Sequence, residues 1–132
     1  MRFYLTHCSK EKEPYLEETG IAVTPDKLYI NPDIQQFMER CKEKKVRWGV
    51  LSDLYGVYLS DEFHVWYEKH PDTVTQQEED EIVKDFDSKL VFYNEILFCV
   101  RPASFHPFYE RALKRTLLAP NVKTFQSIER IE

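Results

Sequence analysis

The chain has 132 residues, a mass of 15.9 kDa and a net charge of −5, with 42% hydrophobic and 14% aromatic residues; that suits one globular domain with a real core and excludes a disordered tail. A pI of 5.4 argues against a dedicated duplex-DNA binder, which carries a basic stripe, and no apolar run approaches the roughly 18 residues of a membrane span. Three cysteines without a C-x-x-C pair give neither a disulfide framework nor a zinc ribbon, so a soluble cytoplasmic protein with reduced thiols and no structural metal is expected.

Arg2–Thr6 reads as the first strand, entered with no charged-then-apolar leader pattern. Residues 10–30 are irregular, punctuated by Pro14, Gly20 and Pro25. A helix then opens on Asn31 as N-cap and Pro32 at its first position. Ile34, Phe37, Met38 and Cys41 follow at helical spacing, and a basic run from Lys42 to Lys45 suits the negative end of the helix. Val46–Leu51 is the second strand. The stretch from Val57 to Val74 breaks the rhythm; with His64, Trp66, Tyr67 and His70 it reads as a lid, as a plug beside the core, or as an aromatic patch for assembly.

Thr75 and Glu78 form a capping box, ahead of a helix whose apolar face is Ile82, Val83, Phe86 and Leu90. Glu95–Val100 is the third strand. Ser104 or its neighbour caps a last helix carrying Phe108, Ala112, Leu113 and Leu117, and Asn121–Phe125 follows as a fourth, short strand. Strand–helix alternation predicts a single α/β domain over residues 1–132, with three layers, a mostly parallel sheet of about four strands and helices on both faces.

Charge is balanced over residues 1–59. Residues 60–95 hold eleven acids against three bases, and residues 96–132 hold three acids against six bases. The acidic stretch reads as a solvated helix face around Glu78–Asp87. The basic last third leaves a local nucleic-acid contact open, although the overall charge does not indicate one. Homo-oligomerisation also stays open.

Three loops each leave a predicted strand and open at the carboxyl edge of a parallel sheet, where ligands bind in open α/β folds. Thr6-His7-Cys8-Ser9-Lys10 offers a thiol beside ammonium groups, which favour thiolate, so Cys8 near Lys10 or Lys12 reads either as a nucleophile or as a small buried hydrophobe. Backbone N–H groups with Ser9 and Lys10 would also suit an anion. In Ser52-Asp53-Leu54-Tyr55-Gly56, Gly56 supplies a positive φ and Tyr55 a stacking ring, while Ser52 and Asp53 serve either a ligand or the turn backbone. No G-x-S-x-G elbow surrounds Ser52. In Arg101-Pro102-Ala103-Ser104-Phe105-His106, Arg101 can clamp an anion, and a neutral His106 can act as a base for Cys8 or Ser52, or merely cap the helix.

Tyr4 to Lys12 followed by Leu51 to Gly56 resembles a family of small uncharacterised bacterial and archaeal α/β proteins, in which one strand ends in C-S-x-x-K and a second in S-x-x-Y-G. The likeness covers the chain to about residue 118. More distantly, Thr6-His7-Cys8-Ser9 with Lys12, Pro14 and Tyr15 is similar to the P-C-S-x-x-K-P-Y motif of the archaeosine synthase catalytic core, and more remotely to the peroxide-stress protein YaaA. Here His7 replaces the proline, Glu13 is inserted before Pro14, and the S-x-S-H continuation is missing. The resemblance implies an α/β fold and a ligand akin to a nucleobase.

The combined expectation is an enzyme acting on a nucleobase, nucleoside or nucleotide-like ligand, perhaps carried within RNA or DNA. Cys8, His106 and Ser52 are its candidate catalytic groups. His7, Ser9, Lys10, Lys12, Asp53, Tyr55, Gly56 and Arg101 are its candidate binding groups. The competing expectation is a non-catalytic ligand-binding or regulatory module. No pattern names a cofactor.

Overall fold

In chain order the elements are β1 (Arg2–His7), α1 (Pro25–Leu28), α2 (Pro32–Lys44), β2 (Trp48–Ser52), β3 (Gly56–Leu59), α3 (Gln76–Leu90), β4 (Glu95–Cys99), α4 (Pro107–Arg115) and β5 (Val122–Phe125). They belong to a computed structural model that describes residues 1–100 and 106–132. The roles expected of Arg101 and Ser104 therefore lie outside the described residues.

Among the described residues the strands form one five-stranded sheet in the order β3-β2-β1-β4-β5, parallel except for β3, which runs antiparallel to β2. The expected four strands become five because β3 folds straight back from β2. Val57 and Tyr58 are both fully buried, so β3 lacks the alternation that marks a half-exposed strand. β1 lies at the centre and is buried from Phe3 to His7. The chain leaves β1 for β2 on one side, then crosses from β3 to β4 on the other. The order thus reverses beside β1, the place where such sheets open a crevice at their carboxyl ends.

The helices start and stop for local reasons. Asn31 Oδ1 accepts from the Asp33 and Ile34 N–H groups, Pro32 opens α2, and Lys45 ends it at φ +55°. Ile34, Phe37, Met38 and Cys41 are all buried, and α2 packs on β1. The Thr75–Glu78 capping box starts α3, which packs on β3 and α4 and buries Ile82, Val83, Phe86 and Leu90. α4 stops at Arg115, so Leu117 lies beyond it and is exposed rather than on its apolar face.

The acidic run of α3 is only in part the solvated face that its composition suggests: Glu81 is exposed, and its neighbours are partly engaged. Glu79 is buried and pairs with Arg111 and Arg115 of α4, and Asp80 also pairs with Arg115. Asp85 accepts from the Val57 N–H and pairs with Lys89, and Asp87 accepts from the Leu117 N–H and the Thr116 hydroxyl. Two arginines of the positive last third thus pair with two acids of the negative middle across the contact of α3 with α4.

Two isolated bridges tie the irregular segments over the sheet edge: Lys12 with Tyr29, and Val23 with His64. Tyr67 is buried and Trp66 is half-buried against the core, so these two rings pack inward, while Phe63 and Val65 beside them are exposed. No helix of the described residues is long and apolar enough to cross a membrane.

Gly56 sits at φ +71°, where a Cβ would overlap the Asp85 carboxylate that holds the Val57 N–H. Gly20, at φ +65°, has open space around it. Gly56→Ala is expected to cost about 2–3 kcal/mol in chemical denaturation, against about 1 kcal/mol for Gly20→Ala. Equal losses would contradict this reading of the turn.

Candidate functional site

The end of β1 continues its ladder for one more bond, as the Cys8 N–H donates to the Leu51 carbonyl at 3.0 Å. Cys8 is thereby fixed, buried, at the carboxyl end of the central strand. The β2–β3 turn brings Asp53 beside it, with Cys8 Sγ 3.8 Å from Asp53 Oδ1. Tyr109, from the first turn of α4, places its hydroxyl 2.9 Å from Cys8 Sγ. Lys12 lies buried with its ammonium 4.4 Å from the centre of the Tyr67 ring, and its one hydrogen bond is a long one, 3.5 Å to the Lys10 carbonyl.

Beneath this group runs a second set of contacts. The Tyr29 and Tyr67 hydroxyls are 2.7 Å apart, and Tyr67 is 3.1 Å from Ser52 Oγ. Ser52 Oγ also accepts from the Leu54 and Tyr55 N–H groups. That leaves Ser52 as the oxygen that closes the turn, not as a nucleophile. Tyr55 is committed as well. Its ring stacks on His64 at 4.0 Å and its hydroxyl donates to the Val65 carbonyl, and it does not line the cavity beside Cys8. Gly56 serves the turn.

The electrostatics correct the expectation of a reactive thiolate. Burial and, secondarily, the Asp53 carboxylate push the Cys8 thiol up to about 11, against a smaller downward pull from the Tyr109 hydroxyl. Cys8 is a thiol at neutral pH. Burial lowers Lys12 from the ordinary lysine value. It also raises Asp53 above the usual carboxylate range, although Lys12 and backbone hydrogen bonds pull it back. Thiol, carboxyl and ammonium are all driven towards their neutral forms.

A cavity of about 220 Å³ opens onto this group. Cys8, Asp53 and Tyr109 line its depth, and Ser9, Lys10 and His106 line it further along. Ser9 Oγ is buried without a hydrogen-bond partner. Lys10 is exposed and has no ion pair among the described residues. His7 also lines the cavity; its ring lies 5.5 Å from that of Tyr109 and 6.3 Å from that of Phe98, so it acts chiefly as a wall. A larger cavity of about 530 Å³ lies against Tyr4, Leu97 and Phe125. Its Arg2 and Lys123 are surface partners of Glu95, whereas the smaller cavity gathers buried Cys8 and Asp53, so it is the better candidate.

His106 is not the base for Cys8 or Ser52. It is itself the N-cap of α4: its Nδ1 accepts from the Phe108 N–H at 3.0 Å and its Nε2 lies 2.5 Å from Asp72 Oδ1. His70 likewise caps the 3₁₀ turn Pro71–Thr73, with Nδ1 accepting from the Asp72 N–H at 3.1 Å. Metal-ligating atoms of His70, Asp72 and His106 lie within 4.8 Å of one another. Both Nδ1 atoms, however, already accept backbone N–H groups, so each neutral ring carries its hydrogen on Nε2. Neither ring has a spare lone pair for a metal while its cap is made.

The structure thus brings together Cys8, Ser9, Lys10, Asp53 and His106 around one cavity, with Lys12 close behind, and assigns Ser52, Tyr55 and Gly56 to the turn. Sequence reading missed Tyr109 and Tyr29. Tyr109 stands three residues after His106, on the side of the helix that faces the same edge, a spacing that could have marked it. Tyr29, in an irregular stretch, carries no such signal. Compared with family models, with curated proteins and with solved structures, the chain finds no match.

Alkylation of Cys8 by iodoacetamide is expected to be slow at neutral pH and to rise without a plateau up to about pH 10. Asp53→Asn removes a charge that raises the thiol pKa, so its curve shifts to lower pH; Tyr109→Phe removes a stabilising donor, so its curve shifts higher. Peptide mapping separates Cys8 from Cys41. A plateau below pH 8 would contradict the buried-thiol account.

Proposed function

We propose that the chain is an enzyme acting on a nucleobase, nucleoside or nucleotide-like ligand bound at the carboxyl edge, over the end of β1 and the β2–β3 turn. The reading takes the fold as three layers, with α2 over the sheet face that carries Trp48 and with α3 and α4 over the other. One observation carries it: Cys8, Asp53 and Lys12 are buried together beside a cavity, and burial shifts all three. Perturbed titratable groups converging on a cleft are the usual mark of a working site.

In this reading the acid–base group is Asp53 and not a Cys8 thiolate. A carboxylate whose proton affinity burial has raised can take a proton from a ring N–H of a base, becoming a carboxyl, and can return it to another ring nitrogen. Before that transfer the Cys8 S–H and the nearby Lys12 ammonium face the carboxylate, and Tyr109 donates to the sulfur. The His7 and Tyr109 rings supply flat walls for a planar ligand. A volume of about 220 Å³ suits a fragment the size of a base or a sugar, below the usual range of drug-sized sites.

The second reading, a binding module without chemistry, is favoured by the protonated thiol and by the commitment of Ser52 to the turn. Thermal-shift measurements with bases, nucleosides and nucleotides, followed by chromatography of the bound compounds, separate the two. Conversion that Asp53→Asn abolishes while binding persists is the expected result. Binding without conversion would make the protein a module, and no stabilisation by any compound would contradict both.

Lys12 supplies an internal control. Its folded pKa lies below its unfolded one, so the burden of burying its charge is present at neutral pH and is relieved only as pH rises towards the ordinary lysine value. Lys12→Met is therefore expected to raise Tm while weakening ligand binding. A fall in Tm would show that the ammonium is a structural tie.

A further inference from the structure

The mouth of the cavity holds donors that the fold leaves unused or only provisionally occupied. Ser9 Oγ is buried, lines the cavity and has no partner. Lys10, on the same loop, lines the cavity with an ammonium that no carboxylate of the described residues pairs. His106, from the start of α4, lines the same cavity. Because its Nδ1 accepts the Phe108 N–H, the neutral ring presents Nε2–H outward, and the first turn of α4 adds a positive field on that side.

That Nε2–H donates to the carboxylate of Asp72 at 2.5 Å. Asp72 belongs to the short 3₁₀ turn Pro71–Thr73, and its side chain is 71% exposed. Its other carboxylate oxygen lies 3.3 Å from His70 Nδ1 of the same segment; what it contributes is an oxyanion placed against a fixed N–H of a cavity-lining residue. Nearby Lys69 is already paired with Glu78, and Asp53, the acid that lines the cavity, lies next to Cys8.

We propose that Ser9, Lys10 and His106 form the seat for a phosphate monoester, and that Asp72 is an exchangeable place-holder for it. This rests on the reading of the same cavity as a nucleoside-type site and makes the ligand a nucleotide, with its base or sugar towards Cys8 and Asp53 and its phosphate at the mouth. A hydroxyl, an ammonium and an imidazole N–H converging from two segments are the donor set that a phosphate uses. A metal ion at His70, Asp72 and His106 is the opposing assignment. It would require both histidines to give up their backbone caps.

The test measures binding by calorimetry for adenosine, guanosine, cytidine and uridine, for their 5′-monophosphates, for inorganic phosphate, for a short 5′-phosphorylated oligonucleotide and for Zn²⁺. Variants are Asp72→Asn, Lys10→Ala, Ser9→Ala and His106→Asn; asparagine is a good N-cap, so the last keeps α4 capped while withdrawing the long imidazole donor. A monophosphate is expected to bind about tenfold more tightly than its nucleoside, the effect of one charge-assisted contact. Asp72→Asn should strengthen phosphate binding several-fold, and the three seat variants should erase the advantage of the monophosphate while nucleoside affinity stays. Long-range proton–nitrogen NMR should find His106 as the Nε2–H tautomer.

Nucleoside binding with no gain from the phosphate overturns the seat and leaves the nucleoside reading standing. Phosphate binding that needs the three residues, with no nucleoside bound, upholds the seat and overturns that reading. Binding of neither overturns both. Tighter binding of the oligonucleotide than of the mononucleotide transfers the phosphate to a nucleic-acid end, and micromolar Zn²⁺ binding lost in Asp72→Asn overturns the anion assignment.

Discussion

An ammonium and a carboxyl are held out of water beside a thiol where the strand order reverses, and the arrangement around them follows from that constraint. Lys12, Asp53 and Cys8 each lie at most 7% exposed. Burial on this scale works against the charged forms of all three, and a protein whose edge needed only closing would fill the place with apolar side chains. The surrounding hydroxyls answer the remaining polarity: Tyr109 bonds the thiol, Tyr67 bonds Ser52, and Tyr29 bonds Tyr67. Tyr67 also lays its ring under the Lys12 ammonium.

What places these groups is mostly backbone. Cys8 is fixed by the extended ladder of β1, Asp53 by a turn closed through Ser52 and Gly56, and Lys12 by a bridge to Tyr29. Tyr109 comes from α4, which the buried Glu79 of α3 grips through Arg111 and Arg115. The charge asymmetry along the chain is therefore a packing device. It seats the helix that carries His106 and Tyr109 at the pocket, and it leaves Arg111 and Arg115 paired with Glu79 and Asp80 at the surface of the helix contact.

Much of the fold was legible because its signals are local. The Asn31-Pro32 start and the Thr75–Glu78 box mark helix beginnings through side-chain-to-backbone bonds within three residues, and both caps form as read. β3 was not legible, since a strand buried on both faces loses its alternation and its pairing depends on a turn. At the site, the three loops were readable as strand ends, but the state of their groups was not. Proximity of Cys8 to lysines along the chain suggests a thiolate, whereas in three dimensions desolvation outweighs them. For Ser52 the turn role was one of two readings that sequence could not separate, and for Tyr55 nothing in sequence reveals the stack on His64. Tyr29 and Tyr67 reach Ser52 only through long-range packing.

The central claim is that the buried cluster is a ligand site and not a structural polar core. The most direct measurement is a ¹H–¹⁵N titration of the labelled protein with a mixture of nucleosides and their monophosphates. The account expects the largest shifts at Ser9, Lys10, Asp53, Lys69, His70 and Tyr109, which line the cavity over β1. Shifts confined instead to the wider groove of Arg2, Lys123 and Arg130, or absent altogether, would contradict it.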